Sequence, residues 1–204
     1  LEDGNILVPM SFTKKGEQNS YCGVALCSFD GENVEVLKVG NALTVTVERG
    51  LCEPSIVFYK GVYYLTIRND ECGFVAKSKD GLVYTDLQLW KWEDGSILQN
   101  YNTQQHWFKL GDELYLVYTR RGANNDHVFR HRAPLFASRV ENMKLVRNSE
   151  IALVPQRGAR MGNFGVTRIN ENTSAVMVSE WMQPEGCERF GSDNSIYVTE
   201  VTPD

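Results

Sequence analysis

The sequence has little of what several classes of protein require. Among 204 residues, 21 are Lys or Arg and 26 are Asp or Glu, which gives a net charge of −5 and no long basic run. Proteins that bind nucleic acid without sequence preference need a positive surface for the phosphates, so we expect no nucleic-acid partner. No window approaches the 18 or more consecutive apolar residues of a membrane-spanning helix, so we expect no membrane span.

Cysteine and histidine are too few, and unsuitably spaced, for a structural metal site. The five cysteines form no Cys-x-x-Cys pair, and the three histidines do not stand at zinc-finger spacing from them. An odd number leaves at least one cysteine without a partner in the chain, and a chain of this length does not depend on a disulfide framework. We therefore expect small buried thiols, and no spacing implies a metal or an organic cofactor.

The sequence is rich instead in short runs that alternate apolar or aromatic residues with polar ones. Residues 57–59 and 62–67 flank a Lys-Gly turn, and this period of two is typical of an antiparallel hairpin. The same pattern returns at 107–118 and, more weakly, at 166–178. A second hairpin follows each of the first two, so the repeating unit has four strands.

Four-stranded units that repeat about every 40 to 60 residues are typical of a β-propeller. We predict an all-β fold, a β-propeller of four-stranded antiparallel blades, with about three and a half blades in this chain and a ring of five or six. The prediction treats 1–204 as one propeller segment, made of a blade fragment at 1–48, blades at 49–100 and 101–158, and a partial blade at 159–204. A twisted β-sandwich with repeated hairpins is the alternative.

Several motifs carry a family resemblance. The turn Ser78-Lys79-Asp80-Gly81 resembles a shortened Asp box, the Ser-x-Asp-x-Gly-x-x-Trp turn of sialidase-type propellers. Glu53-Pro54-Ser55-Ile56, the strand 61–65 and Arg68 resemble a blade of the sialidase-like glycosidases, also called BNR or Asp-box propellers. Residues 125–136 and 157–165 are similar to a bacterial branch of that superfamily.

The resemblance implies a glycoside hydrolase of exo-sialidase-like type that acts on an acidic or complex glycan. It also favours a periplasmic or secreted protein, although no signal segment is visible in this chain. The Arg-Ile-Pro motif of sialidases is absent, and no tyrosine is matched to their nucleophile. The pattern around Glu53 also resembles five-bladed furanosidase-type propellers. A polysaccharide lyase is a variant of this reading, and a non-catalytic glycan-binding or scaffold propeller is the alternative to an enzyme.

The hairpin geometry predicts which side chains share a face. In an antiparallel pair the start of the first strand lies beside the end of the second. This predicts three pairs, one in each blade: Glu53 with Arg68, His106 with Arg120, and Asn163 with Glu180 and Trp181. We expect these pairs to line one rim of a common cavity, which is the default position for a site.

Glycoside hydrolysis needs one carboxylic acid and one base or nucleophile, so acids and histidines at this rim are the candidates. The predicted catalytic residues are Glu53, Asp126, His106 and Glu180. The predicted substrate-binding residues are Arg68, Arg120, His127, Arg130, His131, Arg160 and Trp181. The alternative roles are caps or salt-bridge partners for the acids, a buried structural histidine for His106, and core packing for the tryptophan.

Residues 120–132 form an unusual connection with four arginines, two histidines and one acid. Arginine presents a rigid fork that binds carboxylates, so we predict an anion site at Arg68, Arg120 and Arg160, flanked by Glu53, with residues 121–132 as its lid. A solvated loop whose arginines pair with acids of the chain is the alternative. Open propeller edges near Leu7 and Tyr197 also predict self-association.

Overall fold

The computed structural model describes residues 1–203 as an all-β protein. Four antiparallel sheets follow one another along the chain as the blades of a β-propeller, which confirms the predicted fold class. The chain divides into two compact units, Leu1–Leu89 and the residues from Trp90 onward. No helix among residues 1–203 is long and apolar enough to cross a membrane.

The first unit holds two sheets whose strands follow chain order. The first sheet contains β1 (Ile6–Thr13), β2 (Ser20–Phe29) and β3 (Val34–Val39). The second contains β4 (Cys52–Tyr59), β5 (Val62–Arg68), β6 (Phe74–Ser78) and β7 (Thr85–Leu89). Lys60 and Gly61 both have positive φ, at 47° and 80°, which is the conformation that the tightest hairpin turns require. The hairpin predicted at this turn is confirmed.

The turn after β6 packs against the first sheet. Ser78 Oγ accepts from the backbone N–H of Gly81, and Asp80 Oδ1 accepts from those of Leu82 and Val83 at 2.9 and 2.8 Å. These backbone donors, Val83 first, lower the pKa of Asp80. A Cβ at Gly81 would lie 2.6 Å from a Leu7 methyl group, so glycine permits this close approach.

The second unit also holds two sheets, and both deviate from simple order. The first sheet contains β8 (His106–Leu110), β9 (Glu113–Tyr118), β10 (Leu135–Glu141), β11 (Lys144–Leu145) and β12 (Ile151–Val154). In this sheet β11 and β12 both pair with β10. The other contains β13 (Arg160–Met161), β14 (Gly165–Asn170), β15 (Thr173–Trp181) and β16 (Ile196–Val201). Both β13 and β14 pair with β15, so they act as one strand interrupted at residues 162–164.

The core of the second unit lies between its two sheets. Phe108, Val117 and Leu135 from the first sheet pack with Val176 and Val178 of β15. Side chains alternate across a strand, so Glu180 follows this buried face while Trp181 lies on the other face with half of its surface exposed. This alternation sets the environment of both candidate site residues at the end of β15.

All five cysteines are buried free thiols, as the sequence predicts. Burial raises the pKa of Cys22, since an apolar environment disfavours the thiolate. Strands β1, β3 and β16 each form the edge of their sheet, and β3 exposes three valines. Self-association through such edges stays a prediction.

Candidate functional site

In the first unit, Arg68 ends β5 beside Glu53, as the hairpin register predicts. Its Nη1 lies 2.8 Å from Glu53 Oε1, while its Nε and Nη2 donate to Asp70 Oδ1 at 3.1 and 3.0 Å. Arg49 holds the other oxygen of Asp70 at 2.8 Å. Burial opposes the charge of Arg68, but Glu53 and then Asp70 outweigh it, so the pKa of Arg68 is raised. At Arg68 the structure therefore shows the alternative to an anion site, in which the arginine pairs with acids of its own chain.

Glu53 keeps one unused oxygen. Its φ of 48° lies in the left-handed region, and the register of β4 shifts between Cys52 and Ser55. Non-glycine residues adopt this conformation at a cost of about 1–3 kcal/mol, so the surrounding structure has to hold it. Glu53 Oε2 is buried and has no hydrogen-bond partner among residues 1–203. Glu53 therefore stays a predicted catalytic residue.

In the second unit, Arg120 is fully engaged with its own chain. Its Nε and Nη2 bind the two oxygens of Glu150 at 2.8 and 2.6 Å, and its Nη1 donates to the carbonyls of Arg121 and Gly122. The Tyr118 hydroxyl donates to the same carboxylate at 2.7 Å. The hydrogen bond to Glu150 is the main cause that raises the pKa of Arg120. Arg120 therefore forms a structural ion pair with Glu150.

The register corrects two predicted neighbours. Strand β8 pairs His106 with Val117, so the prediction that His106 lies beside Arg120 is wrong by three residues. The half-buried His106 ring instead packs edge-on against Phe164, with 5.3 Å between ring centroids. The prediction that Asn163 lies beside Glu180 is also wrong, because the interruption between β13 and β14 sets Met161 opposite Glu180.

Glu180 is a buried anchor for the segment that leads into β16. Its Oε2 accepts from the backbone N–H groups of Asp193 and Ser195 at 2.9 and 3.1 Å. Its Oε1 accepts from the Tyr197 hydroxyl at 3.1 Å and lies 3.2 Å from Arg157 Nε. Both oxygens are therefore occupied by this chain, and the predicted catalytic role of Glu180 gains no support from the geometry.

Arg160 differs from the other two predicted anion-site arginines. It is only 5% exposed, and its guanidinium carbon lies 3.7 Å from the ring centroid of Trp181 and 5.2 Å from that of Phe129. Its Nε is buried without a hydrogen-bond partner, and no carboxylate of residues 1–203 forms an ion pair with it. Burial and then the charge of Arg130 lower its pKa. Arg160 is therefore a buried cation that lies between two aromatic rings and has no anionic partner in the part of the chain that the structure describes.

The loop at 120–134 is built around one buried amide. Asn125 Nδ2 donates to the carbonyls of Ala133 at 2.8 Å and Arg120 at 3.0 Å, and its Oδ1 accepts from Ala123 N–H. The backbone carbonyl of Arg132 accepts a hydrogen bond from the backbone N–H of Met161 at 2.9 Å, and this bond connects the loop to β13. The loop therefore stands next to Arg160 as an ordered scaffold, and its predicted role as a lid stays a prediction.

The three other predicted substrate-binding residues of this loop occupy different environments. His127 is exposed, and its Nε2 lies 2.9 Å from Gln156 Oε1. Arg130 is exposed and lies over the Phe129 ring at 5.3 Å. His131 lies between two oxygens, 2.5 Å from the Tyr101 hydroxyl at Nδ1 and 3.3 Å from Asp126 Oδ1 at Nε2.

Tyr101 is the site residue that the sequence analysis missed. It lies in an irregular segment 30 positions before His131, and its ring carries the Arg121 guanidinium at 3.6 Å. A lone tyrosine outside a strand pattern gives no periodic signal, so only the fold brings it to the loop. No group of three or more His, Cys, Asp or Glu side chains within the described residues is placed to hold a metal ion.

Solved structures share this fold at low sequence identity. A Dyadobacter fermentans protein of unknown function matches 98% of this chain and 50% of its own, with a TM-score of 0.64 and 15% identity. Trypanosoma rangeli sialidase in complex with 2,3-difluorosialic acid matches 99% of this chain and 30% of its own, with a TM-score of 0.62 and 12% identity. A Bombyx mori GH32 β-fructofuranosidase matches 98% and 46%, with a TM-score of 0.58 and 14% identity.

At these identities the likeness shows the fold alone. The chain spans half or less of the length of each of these three proteins. No protein-family model matches the sequence, and no curated protein matches it significantly.

Proposed function

We propose that this chain is a carbohydrate-active propeller segment that binds an acidic glycan, and that the ligand carboxylate binds at Arg160. The observation that carries the proposal is the buried Arg160 side chain, which forms no ion pair with a carboxylate among residues 1–203. A charge removed from water is costly unless it is paired, so a bound anion is the natural partner. A sugar carboxylate would supply that anion.

The surroundings of Arg160 suit a sugar better than a small inorganic anion. Trp181 packs one part of its ring on the guanidinium and leaves 51% of its surface exposed. An exposed aromatic ring next to a charged group offers an apolar surface and a polar contact together, which is what the face of a sugar ring and its carboxylate require. Arg130 adds a second positive charge beside the same site.

The fold supports a sugar as the ligand class, because a sialidase and a β-fructofuranosidase share it. The finer predictions remain part of this proposal. Hydrolysis of the exo-sialidase type would need carboxyl groups, and the exposed Asp126 and the unused oxygen of Glu53 are the candidates in their respective units. A non-catalytic glycan-binding propeller would use the same contacts without them.

The test is calorimetric binding of tetragalacturonate to the full chain, compared with its methyl ester, in which each carboxyl group is methylated and uncharged. We expect the acid to bind and the ester to bind far more weakly. Arg160→Met should weaken binding of the acid by roughly 10- to 150-fold, the equivalent of about 1.5–3 kcal/mol for a charge-assisted contact. The control is Arg168→Met, which removes an exposed arginine of β14 in the same unit.

Two results would overturn the proposal. One is equal affinity for the acid and the ester. The other is a loss of thermal stability in Arg160→Met with unchanged affinity, because the arginine would then serve folding alone.

A further inference from the structure

Tyr101, His131 and Asp126 form a continuous chain of hydrogen-bonding groups in the second unit. The Tyr101 hydroxyl lies 2.5 Å from His131 Nδ1, and His131 Nε2 lies 3.3 Å from Asp126 Oδ1. Both contacts are satisfied when the phenol donates to Nδ1 of a neutral imidazole, whose Nε2–H donates to the carboxylate. A histidine held between a hydroxyl and a carboxylate is the arrangement that prepares a hydroxyl to lose its proton.

The loop holds this arrangement in an unfavourable backbone conformation. Arg130 and His131 both have positive φ, at 58° and 50°. Two consecutive non-glycine residues in the left-handed region cost stability, and such residues cluster where the position of a side chain matters. Asn125 helps to hold this backbone conformation, because its Nδ2 also donates to the carbonyl of His131 at 3.4 Å.

The chain of groups lies beside the proposed carboxylate site. Phe129, two residues before His131, packs on the Arg160 guanidinium at 5.2 Å. Arg121 places a second guanidinium 3.6 Å from the centre of the Tyr101 ring. The His131 side chain is 22% exposed and that of Asp126 is 96% exposed, so solvent reaches the chain of groups.

We propose that Tyr101 and His131 are catalytic residues for β-elimination of a 4-linked uronate glycan, with Asp126 as a positioning residue. This inference rests on the proposed binding of an acidic glycan at Arg160. Elimination needs a base for the proton on C5 and a cation that neutralises the adjacent carboxylate. Tyr101 and His131 supply the base and Arg160 supplies the cation, whereas the nearby Glu180 has both oxygens occupied by its own chain.

The step balances without any further reactant. The Tyr101 proton moves to His131 Nδ1, and the phenolate oxygen takes the proton from C5 of the uronate. The electron pair of that C–H bond forms the C4–C5 double bond as the C4–O bond to the leaving sugar breaks. The leaving oxygen takes the proton that His131 holds, so Tyr101 and His131 return to their starting states and the two products share the atoms of the substrate.

The experiment incubates the full chain with polygalacturonate and follows two signals. The double bond absorbs in the ultraviolet, whereas hydrolysis yields reducing ends without that absorbance. We expect absorbance and reducing ends to rise together in the wild type. Tyr101→Phe should lower the rate at least 100-fold, as is typical for loss of a general base, while its affinity for tetragalacturonate stays within about twofold. Tyr115→Phe is the control, because it removes a phenol that donates to Glu113 away from this loop.

Asp126→Asn gives a second variant that should fold normally, since the side chain is almost fully exposed. A positioning role predicts about a tenfold lower kcat with unchanged KM. Reducing ends without absorbance, or binding without any reaction, would overturn the elimination and leave the proposed binding intact. Failure of the wild type to bind the acid would overturn both.

Discussion

The Arg120–Glu150 pair, at the start of the loop at 120–134, allows a quantitative test of how much a buried ion pair contributes to the stability of the second unit. Replacement of Arg120 by Met leaves the Glu150 carboxylate facing the buried Tyr118 hydroxyl without its bidentate partner. Breaking a buried pair costs roughly 3–5 kcal/mol, and the two side chains are here 17% and 16% exposed, which reduces the value to about 2–3 kcal/mol. We expect the free energy of unfolding to fall by that amount.

Urea unfolding followed by tryptophan fluorescence suits this measurement, because Arg120 lies 5.8 Å from the Trp92 ring. The control is Arg147→Met, which also removes a cation over Trp92 but breaks only exposed contacts, an ion pair with Asp94 and a hydrogen bond to Ser96 Oγ, where the expected cost is at most about 1 kcal/mol. The double variant Arg120→Met/Glu150→Gln should cost less than the sum of the two single variants. A loss below about 0.5 kcal/mol for Arg120→Met, or strict additivity, would refute this reasoning.

Three further outcomes follow from the same contacts. Asn125→Ala should destabilise the second unit by about 1–3 kcal/mol in urea unfolding, because it leaves buried carbonyls without a donor; a neutral effect would contradict its role. Trp181→Ala should weaken binding of tetragalacturonate while the melting temperature stays within a few degrees, whereas unchanged affinity would remove Trp181 from the site. The lowered pKa of Asp80 means that its contribution to stability is complete above the ordinary aspartate pKa of about 3.9 and is lost as pH falls through the lower folded value. Asp80→Asn should therefore lose less stability than the wild type on acidification, and parallel pH curves would argue against this.

The local part of the fold could be predicted from the sequence. Alternating residues around the Lys60-Gly61 turn define a hairpin, and its register places Glu53 beside Arg68, as the structure shows. The prediction failed for Asn163 because β13 and β14 are separated by an interruption that no periodicity marks.

Long-range partners could not be predicted in the same way. Glu150 reaches Arg120 from 30 residues away, and Tyr101 reaches His131 over the same separation. Neither contact leaves a local pattern in the sequence, because each joins two segments that only the fold brings together. Only the folded chain therefore distinguishes Arg120, which is paired with Glu150, from Arg160, which has no carboxylate partner among residues 1–203.

The most direct test of the central claim is a crystal structure of the chain with bound tetragalacturonate. We expect a uronate carboxylate about 2.7–2.9 Å from the Arg160 guanidinium, with a sugar ring against Trp181. A structure in which the oligosaccharide binds elsewhere, with Arg160 paired to a carboxylate of its own chain, would contradict it.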